Sequence, residues 1–346
     1  MSRGLGDVYK RQPLPSSIIA EGIDCFGVAG DRGDVAMVGY GAARYALASG
    51  NCNEAEKLWP LIEWCLEYCH RQLNADGVVK SDSDELENRF PAGKANLCTS
   101  SLYYDALVSA AYLGKALKKE HKQIKSYQDR AAELYKNIDA YFARNVEGYD
   151  TYRYYDGNTV LRSWICIPLT MGIYDQAKGT VEALFSDKLW MENGLLTQSG
   201  TSTYWDRSTL YAFRGAYSCG ARDIATEYLD KYSATRLLGD HVPYAVEAWP
   251  EGNQRHLSTE SALYCRIMTE GLFGIRPIAL DAFMMTPQLP ESWNTMSLKR
   301  ICAFGSIFDI EVKRDKDDKL LVLIKKDHKI VKRSKITNGK PIEVRI

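Results

Sequence analysis

The chain has little histidine, no net charge and no long apolar run, and each shortage removes a class of function. Lys and Arg (44) balance Asp and Glu (44), and they form no groove-like stripe in the first 300 residues, which argues against nucleic acid as a partner. No apolar stretch reaches membrane-spanning length. Of nine cysteines, Cys65 and Cys69 stand four apart on one helix. No second Cys/His pair with ligand spacing follows, so neither a metal nor another cofactor is expected. The odd count, with most cysteines on apolar helix faces, reads as buried free thiols and not as a disulfide framework. Met1 to Gln12 has no apolar core and no cleavage site, so it is not a signal peptide. It resembles the translated scar of a cloning junction, and 1–12 is set aside as a non-native leader. The native start is then expected upstream, which leaves both the periplasm and the cytoplasm of a bacterium open.

What remains is a long helical region followed by a short β-rich one. Apolar residues recur at helical spacing over Asp34–Ser49, Asn53–Leu73, Leu97–Lys118, Gln123–Ala143, Leu161–Gly172, Gln176–Leu184, Arg207–Gly220, Ala221–Ser233 and Thr259–Gly274. The first eight form four hairpins. Tight turns alternate with long polar, aromatic-rich loops at 74–95, 145–160, 186–206 and 236–257. Hairpins with long loops gathered at one end describe an α/α toroid with its site at that end. Six hairpins need twelve helices, and the missing ones are expected upstream. The fold class is therefore mainly α: an (α/α)6 toroid, incomplete at its N-terminus, over 13–277. A small β-sandwich-like domain over 278–346 follows. There Ala303–Arg314 alternates, Leu320–Ile324 is apolar, and short strands are expected near Lys329–Lys335 and Ile342–Ile346. Its many lysines protect exposed edges.

The segment from His241 to Ser261 (HVPYAVEAWPEGNQRHLSTES) carries the most chemistry. It sets Glu247 beside Trp249, adds Pro250 and Glu251, and then supplies Asn253, Gln254 and Arg255 as donors. A helix lead-in needs none of this, whereas a sugar site needs a carboxylate, an aromatic face and hydroxyl partners. A second acidic loop, Ser81 to Gly93 (SDSDELENRFPAG), has the same character. Two such loops on one scaffold imply paired carboxylates across a glycosidic bond. Tyr outnumbers Phe, 22 to 9, which suits carbohydrate surfaces and also half-buried helix positions. Two further loops are expected to line the pocket, through Tyr155 with Trp164, and through Trp205, Asp206 and Arg207. Trp205 reads equally well as a core anchor, and His241 as an ordinary loop histidine.

The chain resembles the six-hairpin glycosidases, the broad group of bacterial α-L-rhamnosidases, trehalases and processing α-glucosidases. Gly27–Asp34 with the following VAMVGYGAARYALASGN is similar to a rhamnosidase helix that starts with a site aspartate. On that resemblance Asp31, with Arg32, contacts sugar, while Asp34 caps the helix. Asp82–Phe90 followed by Asn96–Ala111 is similar to the trehalase stretch, which puts Asp84 at the general acid and Arg89 at a sugar-binding arginine. Ser83 stands where that stretch has Trp or Met, and one extra residue separates Asp84 from Arg89. Tyr244–Trp249 resembles the segment with the general base, which falls on Glu247. Gly274–Trp293 resembles the join into the C-terminal β-domain. In the rhamnosidase branch the acid lies upstream of the residues present; in the trehalase branch it is Asp84.

The expected reaction is hydrolysis of an oligo- or polysaccharide with inversion. Asp84 would protonate the leaving oxygen, and Glu247 would activate water across a gap of roughly 6.5–9.5 Å. Glu251 rivals Glu247 as base, and His241, Trp249, Glu251 and Arg255 complete the sugar contacts. A polysaccharide lyase would instead use Tyr244, His241 and Asn253. An epimerase would need His241 and His256 to face each other. A non-catalytic fragment would only bind glycans. Carbohydrate is the expected partner, neither nucleic acid nor membrane is, and no oligomer interface is legible.

Overall fold

A computed structural model describes residues 33–81, 84, 90–236, 248–249 and 258–346. They fall into two compact units. The first is drawn from Met1–Ala46, Cys52–Arg144 and Tyr152–Thr159, and the second from Leu47–Asn51, Asn145–Thr151 and Val160–Ile346.

The first unit is built on four helices: α1 (Asp34–Ser49, whose last residues belong to the second unit), α2 (Cys52–Arg71), α3 (Leu97–Ala116) and α4 (His121–Phe142). Helix α3 is apolar or small on nearly every face and is buried accordingly, so it is an inner helix. Asn96 starts it by accepting the Thr99 N–H at 2.9 Å, the usual N-cap contact. Its buried Asp105 receives two hydrogen bonds from Arg44, at 2.9 and 3.2 Å. Helix α4 is amphipathic. It buries Tyr127, Ala131, Leu134, Ile138 and Phe142 and turns charge outward, where Arg130 meets Glu67 of α2 at 2.6 Å.

The second unit repeats the inner and outer pattern. A 3-10 turn at Ser163–Cys166 leads into α5 (Ile167–Met171) and α6 (Ala177–Leu184). Helix α7 (Asp206–Ser218) is buried along almost its whole length, whereas α8 (Arg222–Arg236) buries Ala225, Leu229, Tyr232 and Arg236. Helix α9 (Ser258–Arg266) runs into a π-helical turn at Ile267–Leu272. Short strands decorate the connections: β1 (Ala143–Val146) with β2 (Tyr149–Tyr152), β3 (Trp190–Met191) with β4 (Gly194–Leu195), and β5 (Tyr204–Trp205) with β6 (Ala248–Trp249).

The chain closes with antiparallel sheets. Strands β7 (Ile275–Ala279), β8 (Ala282–Met285) and β13 (Ile342–Arg345) form one, in the order β13-β8-β7. Strands β9 (Thr295–Ala303), β10 (Ser306–Arg314), β11 (Leu320–Lys326) and β12 (Lys329–Ile336) form the other in sequential order. Alternate residues Phe308, Ile310 and Val312 of β10 and Leu320, Val322 and Ile324 of β11 point inward, the period-two pattern of a half-buried sheet. Phe283 of β8 stacks on Phe304 and Phe308 at 5.1 and 5.6 Å. Phe304 also donates its N–H to Ala48 at 2.6 Å. The approach is so close that a Cβ on Gly50 would lie 2.3 Å from backbone atoms.

All nine expected helices are present among the described residues, with two changes of character. The Leu161–Gly172 segment begins extended, because Arg162 bridges Gln198. Only five of its residues are α-helical, ending at Gly172 with φ 87°. The last helix widens before Gly274. The widening seats Gly271 against α7, where an added Cβ would lie 3.2 Å from Tyr217. Strand β9 was not expected. Its sequence TMSLKRICA alternates poorly, and mostly exposed residues form it. Of the nine cysteines, Cys25 lies outside the described residues; the other eight are free thiols, and Cys65, Cys69, Cys98 and Cys166 are buried.

His70 on α2 is held below its ordinary value of 6.5, first by burial and then by the nearby Arg130 guanidinium. The unfolded chain then binds the proton more readily, so stability falls as pH drops through about 6.5. Urea unfolding at pH 5 and pH 7.5 is expected to show a lower midpoint at pH 5, and His70→Gln is expected to shrink that difference.

Candidate functional site

Four consecutive residues, Tyr204 to Arg207, tie three segments of the second unit together. Strand β5 pairs with β6, Tyr204 opposite Trp249 and Trp205 opposite Ala248. Asp206 and Arg207 then open α7. Asp206 accepts from Arg236, the last residue of α8, at 2.9 Å, with both side chains buried. Arg207 Nε donates to Glu260, in the first turn of α9, at 2.8 Å. Glu260 is fully buried, while the Arg207 side chain keeps 21% of its surface.

An aromatic group sits behind these ion pairs. Trp205 meets Trp164 edge-on at 4.6 Å, Trp164 meets Tyr211 at 5.5 Å, and the Arg207 guanidinium lies 5.7 Å from the Trp205 ring. Both tryptophans are 2% exposed, so the described residues place them as buried walls. The Trp164 indole nitrogen is buried with no hydrogen-bond partner among the described residues. Nearby, burial and then the Asp206 carboxylate push the Tyr232 hydroxyl well above the ordinary phenol value.

Hydrogen bonds also fix the 186–206 connection. Ser163 N–H donates to Thr197 at 3.1 Å, and Ser199 N–H donates to Leu161 at 2.9 Å. Thr209 of α7 accepts the Leu195 N–H at 2.9 Å and donates to the Trp205 carbonyl at 2.9 Å.

Asp84 and Tyr155 belong to the first unit. Asp84 is 1% exposed. Bridges pair Lys80 with Ala95 and Asn96 with Tyr155. Gly93 (φ 72°) lies so close to Tyr155 that an added Cβ would be 2.5 Å from its side chain. Tyr155 itself is half-buried. Asp34 is the first residue of α1.

Glu247, Asp31, Arg32, Arg89, His241, Glu251 and Arg255 lie outside the described residues, as do Tyr244, Asn253 and His256. Trp249 is placed by its backbone pairing with Tyr204. The structure therefore groups Trp164, Trp205, Asp206, Arg207 and the strand that bears Trp249.

Glu260 and Tyr211 escaped the sequence reading. Glu260 had a signal: an acidic residue three positions into a helix whose other face is apolar, next to the aromatic-acidic loop. Tyr211 had none beyond its helical register with Asp206 and Arg207. Among the described residues no group of three or more His, Cys, Asp or Glu could hold a metal ion. No described helix is long and apolar enough to cross a membrane.

The Asp206–Arg236 pair predicts a stability effect. Arg236→Met withdraws the cation from a buried carboxylate, and chemical denaturation is expected to show a loss of about 3–5 kcal/mol. The double change Asp206→Asn with Arg236→Met should recover most of it.

No protein-family model matches the chain, and no curated protein sequence matches it. Its fold is similar to that of several solved structures. For a sialidase the TM-score is 0.67 at 15% identity, over 88% of this chain and 32% of that one. For an α-L-rhamnosidase from Dictyoglumus thermophilum it is 0.52 at 13% identity, over 92% and 39%. For a GH78 family rhamnosidase of Bacillus sp. GL1 it is 0.51 at 13% identity, over 82% and 29%. The chain thus spans about a third of the length of the structures it matches, and at these identities the likeness is one of fold.

Proposed function

We propose that the chain is a glycoside hydrolase that cleaves an oligo- or polysaccharide with inversion, on an (α/α)6 toroid over 13–277 followed by a β-domain over 278–346. Asp84 is the general acid and Glu247 the general base. The observation that carries this reading is the anchoring of the connection between α8 and α9. Its two flanks, Arg236 and Glu260, and its middle, Ala248, are all tied to Trp205, Asp206 and Arg207. A base that must hold water against an anomeric carbon benefits from anchor points of this kind in its connection. Ala248 directly follows Glu247 in the chain. The fold likeness to a sialidase and two rhamnosidases supports the same class.

Chemistry assigns the remaining roles. The leaving oxygen needs a proton near neutral pH, and burial is the physical means by which a carboxyl keeps one. Asp84, which takes the acid's place in the trehalase-like stretch, is 1% exposed. Arg207, with 21% of its side chain exposed, carries guanidinium N–H donors of the kind that sugar hydroxyls accept from.

Turnover on a panel of aryl glycosides, with the released anomer followed by NMR, tests the assignment. Asp84→Asn and Glu247→Gln are each expected to lower kcat by about 10²–10⁴-fold with substrate affinity retained. Full activity in Glu247→Gln would refute the base. A product absorbing in the ultraviolet would point to lyase chemistry.

A further inference from the structure

We propose that Glu260 is a specificity-determining residue of this site: by neutralising Arg207 it selects neutral sugars against uronates and sialates. The inference rests on the glycosidase reading above and narrows its substrate class.

A guanidinium beside an aromatic wall is the usual anchor for a carboxylate, because its fork of N–H donors matches two oxygens and its charge does not titrate away. Arg207 has the position for this role and retains solvent access, with 21% of its side chain exposed. Its charge, however, is already answered. The fully buried Glu260 carboxylate lies 2.8 Å from its Nε. The neighbouring arginines are paired as well. Arg236 pairs with Asp206 at 2.9 Å, and Arg214 and Arg266 both pair with Glu270, at 2.9 and 2.5 Å. Arg207 and Arg236 thus each hold a carboxylate of their own, whereas Arg214 and Arg266 share one.

A glutamine at 260 would accept the same hydrogen bond from Arg207 without the cost of burying a charge. What an ionised glutamate adds is cancellation. Arg207 keeps its directional donors for hydroxyl oxygens and loses its long-range pull on an anion. An entering carboxylate would surrender its hydration at Arg207 and find a buried negative charge behind the guanidinium. Like-charge juxtaposition of this kind is a standard means of rejecting a wrong partner.

Matched ligand pairs test the idea by saturation-transfer NMR and calorimetry: methyl glucosides against methyl glucuronides, methyl galactosides against methyl galacturonides, each in both anomers. Methyl α-L-rhamnoside and the 2-O-methyl glycoside of sialic acid complete the panel. The wild type is expected to bind the neutral member of its preferred pair on the order of tenfold more tightly. Glu260→Gln is expected to bring that ratio to one or invert it, and to make uronide binding salt-sensitive. Arg207→Gln with Glu260→Gln should restore the neutral preference at lower affinity. A wild type that prefers the acidic member would overturn the proposal. So would a folded Glu260→Gln, verified by circular dichroism, with an unchanged ratio. Should Glu260→Gln not fold, Arg207→Gln alone decides: with Glu260 retained it must reject the acidic member more strongly than the wild type, and equal rejection sinks the idea. Failure of every glycoside to bind would overturn the glycosidase reading itself, whereas binding with an indifferent ratio overturns only the role of Glu260.

Discussion

The first turn of α7 is the constraint on which the candidate site depends. Asp206 and Arg207 are adjacent, so their side chains leave the helix about 100° apart. One reaches the end of α8 and the other the start of α9. The polarity of each partner suits its helix end: Arg236 closes a C-terminus, and Glu260 and Asp206 open N-termini. Arg207 alone has the wrong sign for a helix start, and Glu260 corrects it. Two residues earlier, β5 adds backbone pairing to β6. A single tetrapeptide thus fixes both flanks and the middle of the connection that carries Glu247 in the sequence.

The cost of this arrangement explains its surroundings. Buried carboxylates and guanidinium groups are expensive unless each finds a partner at good distance. Helix α7 can hold them because it is an inner helix, enclosed along most of its length, where the partners are themselves shielded from water. The edge-on packing of Trp164 against Trp205 and Tyr211 limits the freedom of the first turn further. In the first unit α3 follows the same logic, with Asp105 buried and held by Arg44. Inner helices carry compensated charge, and outer helices α4 and α8 carry solvent-facing charge such as the Lys231–Glu227 pair.

Legibility of the sequence followed the strength of local signals. The helices were readable because α2, α4 and α8 repeat apolar residues at helical spacing, and because α3 and α7 sit next to such partners. Strand β10 was readable from its alternation and β11 from its apolar run. Strand β9 was not, because its exposed face and its charges hide the period. The two-residue strands β3 to β6 were not, because pairing over so short a span is dictated by tertiary contacts. At the site, Trp205, Asp206 and Arg207 stand side by side in the sequence, but the sequence could not say that Asp206 faces Arg236. That pairing spans 30 residues and depends on how α8 returns against α7.

The pattern of compensated charge bears on the choice between hydrolysis and elimination. A lyase abstracts a proton beside a uronate carboxylate, and it must first neutralise that carboxylate with cations that are not already committed. Arg207, Arg214, Arg236 and Arg266 are each committed to a glutamate or an aspartate within 2.9 Å. Inverting hydrolysis makes no such demand. It needs one carboxylic acid, one carboxylate and a water held between them. At the first turn of α7, Arg207 and the partner of Asp206, Arg236, each have a carboxylate of their own, whereas Arg214 and Arg266 share Glu270, so this turn suits the orienting of hydroxyls better than the capture of a carboxylate.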